Sequence, residues 1–295
     1  GTVASEHDPA DSSALETPFV RIAWQEPLGI VEWQDRMSGD TLLRAGHDHT
    51  PFAPVYEVTP VADRSQICSV RGAMGLNRKG PDVQRSVGRL VHGRVVSRGP
   101  VFTTAELRYE TAGLSLYDVV VRALVEVPQV DVSIRLHKES VWEPENLYIA
   151  LPFGGASPSQ VWLDKAGALV RPFVDQLPGT LTDFSSVQAG VVITSKDFGI
   201  AVATPDTNLI QLGPLAYGPR RLAGAPELED AHPELYAWVM TNYWETNFAA
   251  SLGGFYEFRY SITWGPGLSI AARAADACRV MSMGPVAFRL GREET

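Results

Sequence analysis

The chain has 295 residues, of which 45% are hydrophobic and 20% charged, a composition typical of a folded globular protein. Lys and Arg total 25 against 34 Asp and Glu, so the net charge of −9 argues against a surface that binds nucleic acid or anionic lipid. No apolar run reaches the ~18 residues that a membrane-spanning helix needs. The two cysteines, Cys68 and Cys278, are too few for a disulfide framework. With no intact signal peptide at the N-terminus, they predict a cytoplasmic location.

The first 14 residues are small, polar and acidic. Such a segment buries too little apolar area to offset the entropy lost on ordering, so we predict a flexible leader or linker over residues 1–14. No later change in composition divides the chain. We therefore predict one domain over residues 15–295.

The dominant pattern from Leu15 onward is an alternation of apolar and polar residues with period two, which is typical of strands with one buried face. In chain order the predicted strands are 19–24, 30–35, 54–62, 88–97, 101–110, 119–127, 130–137, 147–152, 191–195, 199–204, 208–213, 236–243, 255–264 and 286–290. Helical periodicity is absent, apart from one short helix predicted at 226–232. So many strands without crossover helices predict an all-β, antiparallel sandwich with few or no helices.

His47-Asp48-His49 is the densest group of metal-ligand side chains. Two imidazoles and a carboxylate could hold zinc. The segment lies between Gly46 and Pro51, however, and no third ligand is identifiable elsewhere. We interpret it as a solvated loop and predict no metal site.

Acidic residues also concentrate near one predicted strand end, at Glu139, Glu143 and Glu145 beside His137. A pair of carboxylates can cleave a glycosidic bond when the two groups lie ~5–10 Å apart on either side of it. A charged strand end is the simpler interpretation. No catalytic residue is therefore predicted.

Two segments carry residue types that suit sugar hydroxyls, because carboxylates and amides pair with hydroxyls and aromatic rings pack on C–H bonds. The first is a Pro-Gly loop and the second is rich in aromatics. The alternatives are an ordinary turn with a capping Asp in the first segment and core aromatics in the second. The candidate sugar contacts are Asp175, Gln176, Asp183, Asn242, Trp244 and Asn247.

Several segments resemble, in order, the C-terminal region of glycoside hydrolase family 38, the zinc-dependent α-mannosidases. The family patterns are E-N-x-x-x-R-V with G-G-I-x-S-L-x-D-K, K-x(5,6)-E-x-L-Y-x-A-x-P-F, D-Q-L-P-G with G-V-x-x-A-T-x-D, and N-N-x-W-x-T-N-F with F-R-Y-S. Here Thr17 replaces the Asn, Leu28 one Gly and Arg36 the Lys of the first pattern. The matching segments are 15–22, 29–36, 136–140, 145–153, 175–188, 199–206, 240–248 and 258–262.

This resemblance implies a large β-supersandwich of the galactose-mutarotase-like type. In the family, the nucleophilic Asp and the zinc ligands lie in a separate catalytic barrel whose zinc motif begins His-x-Asp. Neither His7 nor His47 begins such a motif. The resemblance therefore implies an accessory domain that braces a catalytic barrel and lines a mannose-containing glycan cleft, with no cofactor of its own and zinc in the absent catalytic domain.

Two other functions stay open. A free-standing mutarotase-like isomerase or carbohydrate-binding module could use the same sandwich. For an isomerase, the available acid and base groups are His92, His137, Glu139 and Glu257. A purely structural interaction module without a ligand is the third possibility.

Overall fold

A computed structural model describes residues 13–66, 69, 82–155, 159–216, 221–225, 234–243, 251–284 and 287. These residues contain eighteen strands and one α-helix of more than one turn. The strands are β1 Ala14–Glu16, β2 Val20–Gln25, β3 Gly29–Asp35, β4 Pro54–Val58, β5 Gln84–Val87, β6 Arg89–Arg98, β7 Phe102–Glu110, β8 Leu114–Leu124, β9 Gln129–Lys138, β10 Glu145–Ala150, β11 Gln160–Lys165, β12 Ala168–Val170, β13 Phe184–Ser186, β14 Gly190–Thr194, β15 Gly199–Ala203, β16 Leu209–Leu212, β17 Leu235–Thr241 and β18 Gly254–Gly265. The helix, α1, is Ala271–Met283.

The strands form three antiparallel sheets. The largest has nine strands in the order β12-β11-β14-β15-β18-β9-β8-β7-β6, the second has six in the order β13-β16-β17-β10-β4-β5, and the third is β1-β2-β3. The expected all-β architecture of stacked antiparallel sheets is confirmed. Strand β1 begins at Ala14, the last residue of the predicted leader 1–14.

The main core lies between the nine-stranded sheet on one side and the other two sheets on the opposite side. Alternation places Phe258, Tyr260, Ile262 and Trp264 of β18 in it, as period two predicts. Each fully buried large apolar side chain contributes ~1.5–3 kcal/mol relative to exposure. The predicted strands that fall on described residues are present, and β1, β5, β11, β12 and β13 are additional short strands. The predicted helix at 226–232 and nearly all of the predicted strand at 286–290 lie outside the described residues.

Helix α1 was not predicted from the sequence. It covers the outer face of β14 and β15, the face turned away from the core, through the small buried residues Ala274, Ala275 and Cys278. Such a stripe has no large apolar residues, so the periodicity of hydrophobic residues does not reveal it. The helix is also held by Arg279, whose Nη2 lies 2.7 Å from the Oδ1 of the fully buried Asp164.

The remainder of that outer face, over β6–β9 and β18, carries charges of alternating sign. Its central row, set by the strand register, consists of His92, Arg108, Asp118, Arg135 and Glu257. Opposite charges on facing strands attract, so this row favours the observed register. We call this surface the charged face.

A buried ion pair joins the nine-stranded and six-stranded sheets at one end. The Nζ of Lys138 lies 2.7 Å from the Oε2 of Glu145, and both side chains are 1% exposed. The Tyr56 hydroxyl donates to the same oxygen at 2.7 Å. Burial raises the pKa of Glu145, although both of these partners oppose the increase. Lys138 and Glu145 are the Lys and Glu of the family-like motif, which therefore corresponds to a structural joint.

Candidate functional site

The candidate site is the outer face of the six-stranded sheet, where side chains directed away from the core are nevertheless buried. The register places Arg85, Glu57 and Asn146 in one row across β5, β4 and β10. The next row on this face contains Tyr148 and Trp238. Tyr236 lies on the same face of β17, two residues before Trp238. We call the surface formed by these residues the polar face: Glu57, Arg85, Asn146, Tyr148, Tyr236 and Trp238.

A chain of hydrogen bonds orients the polar groups of this face. The guanidinium of Arg85 donates to Glu57 Oε1 from Nη2 at 2.7 Å and from Nε at 3.0 Å. Asn146 Nδ2 lies 3.5 Å from Glu57 Oε2, and its Oδ1 accepts from Trp238 Nε1 at 3.0 Å. Glu57 is completely buried, whereas Arg85 reaches the surface. Carboxylate, amide and indole are therefore fixed in place by one another.

Aromatic rings form the apolar part of the same face. Tyr148 stacks on Trp238 with ring centroids 5.5 Å apart and an interplanar angle of 27°. Phe184 meets Trp238 edge-on at 5.2 Å, and Tyr236 meets Tyr148 edge-on at 6.3 Å. Rigid aromatics beside fixed amide and carboxylate groups have the composition of sites that recognise hydroxyl-rich ligands.

At Tyr236 the polar face extends to partly exposed residues. The Tyr236 hydroxyl lies 2.9 Å from His49 Nδ1 and donates to Glu234 Oε2 at 3.0 Å. The His47 ring packs 5.1 Å from the Tyr236 ring, and its Nδ1 accepts the His49 backbone N–H at 3.1 Å. The segment His47-Asp48-His49 is a loop as predicted, but its two histidine rings are only partly solvated because both pack on Tyr236.

Burial determines the charge of these groups. It lowers the pKa of His47 to about 4 and also lowers the pKa of His49. Burial and the nearby Glu234 raise the pKa of Tyr236. Near neutral pH both imidazoles are therefore uncharged and the phenol is protonated. The hydrogen-bonded series His49–Tyr236–Glu234 can donate to and accept from hydroxyl groups. It also provides a short path for a proton.

Asp175 and Gln176, two predicted sugar contacts, stabilise their own loop. Asp175 forms an ion pair with Arg171 at 2.7 Å and accepts the Arg171 backbone N–H at 2.9 Å. Gln176 Oε1 accepts the Phe173 backbone N–H at 3.0 Å. Their observed contacts match the alternative of an ordinary turn with a capping Asp. Contact of these residues with sugar stays a prediction.

The structure places Asp183 and Asn242 at opposite ends of the six-stranded sheet. Asp183 pairs with Arg221 at 3.2 Å, and its backbone oxygen accepts the Leu212 N–H. Leu212 pairs with Leu235, seven residues before Asn242 (235 to 242), a separation of ~23 Å along a strand. Asn242 is buried and binds the backbone of Glu145 at 2.7 Å. Trp244 and Asn247 lie outside the described residues.

Of the groups considered for isomerase chemistry, His92, His137 and Glu257 lie on β6, β9 and β18 of the nine-stranded sheet. His92 and Glu257 lie in the row of the charged face, on strands separated by three others. His137, in a neighbouring row, bonds to the Ser115 hydroxyl and packs against Phe255, with ring centroids 4.4 Å apart. Within the described residues, no group of three or more His, Cys, Asp or Glu side chains is placed to hold a metal.

Sequence reasoning missed the polar face because its residues come from four strands far apart in the chain. One signal was present: β10 reads Glu-Asn-Leu-Tyr-Ile-Ala, and all six residues are buried. A strand buried on both faces cannot lie between a core and solvent. Asn and Tyr in such a strand indicate a second buried surface whose polar groups need hydrogen-bond partners.

Similar proteins are found by comparing structures but not by comparing sequences. No protein-family model matches the sequence. A search of curated proteins gives no match either. No helix among the described residues is long and apolar enough to cross a membrane.

Three solved structures resemble the chain. An α-mannosidase from Enterococcus faecalis V583 superposes with a TM-score of 0.60 at 13% identity, over 90% of this chain and 31% of that chain. A protein in the glycosyl hydrolase family 38, also from Enterococcus faecalis, gives 0.58 at 12% identity, over 90% of this chain and 32% of that chain. A galactose mutarotase related enzyme from Lactobacillus acidophilus gives 0.38 at 9% identity, over 85% of this chain and 96% of that chain. The chain thus spans about a third of the length of the two glycoside hydrolases and carries the β-supersandwich fold found in family 38 α-mannosidases.

Proposed function

We propose that this chain is an accessory domain of an α-mannosidase-like glycoside hydrolase and that the exposed part of its polar face, Arg85 with the bordering His47 and His49, lines part of a glycan cleft. The observation that carries the proposal is the fold likeness, which covers 90% of this chain but 31% of the α-mannosidase. Most of such an enzyme would then lie outside this chain. Arg85 and His49 offer hydrogen-bonding groups to mannose hydroxyls, and the buried carboxylate, amide and aromatic groups of the polar face form the rigid layer beneath them.

The chain by itself is proposed to be inactive in glycoside hydrolysis. Hydrolysis needs an acid together with a nucleophile or base, and in this family a metal. The Nδ1 atoms of His47 and His49 engage a backbone N–H and the Tyr236 hydroxyl, and the described residues place no third His, Cys, Asp or Glu side chain with these two rings to complete a zinc site. Zinc is therefore assigned in this proposal to a separate catalytic part.

The direct test is hydrolysis of p-nitrophenyl α-mannoside by the purified 295-residue chain, with and without added zinc. A complete α-mannosidase assayed in parallel verifies the substrate. We expect no turnover above buffer in either condition. Zinc-dependent turnover that disappears in His47→Ala would contradict the accessory role and would place a metal on the 47–49 loop.

A second candidate function, a carbohydrate isomerase, is favoured by the His49–Tyr236–Glu234 chain alone. Opening a sugar ring requires one group that gives a proton and another that takes one. Exchange spectroscopy on glucose, galactose and mannose anomers measures this activity, and Tyr236→Phe removes the bridging hydroxyl while keeping the ring. Acceleration by the wild type but not by Tyr236→Phe would select the isomerase. An uncatalysed rate with both proteins would eliminate it.

A further inference from the structure

A cavity lies away from the polar face, beside the β14–β15 hairpin. It is an open groove of about 570 Å³, within the ~300–1,000 Å³ typical of small-molecule sites. Strands β11 and β14, the hairpin loop and the segment before α1 provide its walls. We call it the hairpin groove and define it by Gln160, Trp162, Thr194, Ser195, Lys196 and Ser269.

The aromatic wall of the groove is held rigidly. Trp162 Nε1 donates to Thr194 Oγ1 at 3.0 Å, so the indole edge is fixed to the neighbouring strand. The Arg171 guanidinium lies 5.5 Å from the Trp162 ring centroid. Arg171 is itself held by Asp175 through bonds from Nη2 at 2.7 Å and Nε at 3.1 Å. A side chain immobilised before binding loses little further entropy when a ligand arrives.

The polar wall consists of hydroxyls, an amide and one ammonium group. Gln160 and Lys196 are exposed. Lys196 has no ion-pair partner among the residues that the structure describes, whereas Arg171 is neutralised by Asp175. Among the described residues that line the groove, Lys196 carries the only formal charge, and none is a carboxylate. This contrasts with the net charge of −9 for the whole chain.

We propose that the hairpin groove binds an anionic carbohydrate, a hydroxyl-rich ring that carries a carboxylate. The ammonium of Lys196 pairs with the anionic group, because a charge-assisted hydrogen bond is stronger than a neutral one. Gln160 and the serine hydroxyls bind ring hydroxyls, and Trp162 covers apolar C–H bonds. Asp175 is a positioning residue that acts through Arg171 on Trp162.

The test follows the Trp162 indole N–H signal in two-dimensional ¹H–¹⁵N spectra, assigned with Trp162→Phe, while glucuronate is added to the full chain. Glucose is the matched neutral probe. We expect saturable movement of this signal with glucuronate and at least about tenfold weaker binding of glucose, the size expected for one charged hydrogen bond. Lys196→Ala weakens glucuronate binding by a similar factor, and Lys196→Arg retains most of it.

Arg94→Ala, which removes an exposed cation from the charged face, is the control and leaves glucuronate binding unchanged. Three results would overturn the proposal: an unmoved Trp162 signal, equal responses to glucose and glucuronate, or unchanged affinity in Lys196→Ala. None of these results bears on mannoside binding at the polar face. Failure of this proposal is therefore distinguishable from failure of the accessory-domain proposal.

Discussion

The two sheet faces directed away from the core differ in the solvent exposure of their charged side chains. On the charged face, Arg94 pairs with Glu106 at 3.1 Å, and the two side chains are 56% and 46% exposed. On the polar face, Arg85 pairs with Glu57 at 2.7 Å, and the Glu57 side chain is 0% exposed. Exposed pairs are screened by water and contribute little, whereas a buried carboxylate depends on its partners. The charged face is thus an ordinary solvated surface, whereas the polar face contains a buried carboxylate whose stability depends on its hydrogen-bond partners.

The largest expected effect comes from removing the matched arginines one at a time. Arg85→Ala leaves the buried Glu57 carboxylate without its guanidinium and should lower the free energy of unfolding by about 3 kcal/mol. Arg94→Ala should lower it by less than about 1 kcal/mol. Urea denaturation measures both values. Equal losses would remove the distinction between the two faces.

The next largest expected effect concerns α1, which covers the outer face of β14 and β15. Arg279→Ala leaves the fully buried Asp164 unpaired, and we expect a loss of about 2 kcal/mol because solvent reaches the vacated position. Hydrogen exchange should accelerate first in α1 and β11. Uniform acceleration throughout the chain would show that the helix does not open as a separate unit.

A smaller effect is the pH dependence at the edge of the polar face. Folding lowers the pKa of His47 from its usual 6.5 to about 4, so the folded state favours the neutral ring. Its contribution is complete above pH 6.5 and is lost as the pH falls toward 4. We expect a loss of about 1–2 kcal/mol over this interval, after allowing for partial exposure.

His47→Gln should flatten that part of the stability curve, because glutamine does not titrate. Parallel denaturation curves at pH 7, 5.5 and 4 separate this contribution from that of the carboxylates common to both proteins. Identical slopes for wild type and His47→Gln would show that the ring is solvated.

The smallest expected effect is at Asp175. Asp175→Ala removes an exposed ion pair and one bond to a backbone N–H, so we expect a loss of ~0.5–1 kcal/mol. Mannoside affinity should not change, because the described contacts of Asp175 lie within its own loop. A large loss of mannoside affinity would instead support the prediction that this loop contacts sugar.

The strands were largely predictable, because alternation along β9 and β18 reports burial directly. Helix α1 was not, since its packing residues are alanines whose burial leaves no periodic signal. The residues of the polar face were harder to predict from the sequence. Glu57, Asn146 and Tyr236 become neighbours only through the order β17-β10-β4-β5, which depends on long-range pairing. The family-like motifs indicated the fold correctly, yet Lys138, Glu145 and Asn242 in those motifs form a structural joint.

The most direct test of the central claim is calorimetric titration of a methyl α-mannoside oligomer into the chain and two variants. His49→Ala changes a partly exposed residue at the edge of the polar face, and Arg135→Ala changes an exposed residue of the charged face. The account predicts binding by the wild type, at least about fivefold weaker binding by His49→Ala and unchanged binding by Arg135→Ala. Absence of binding by the wild type, or equal weakening in both variants, would contradict it.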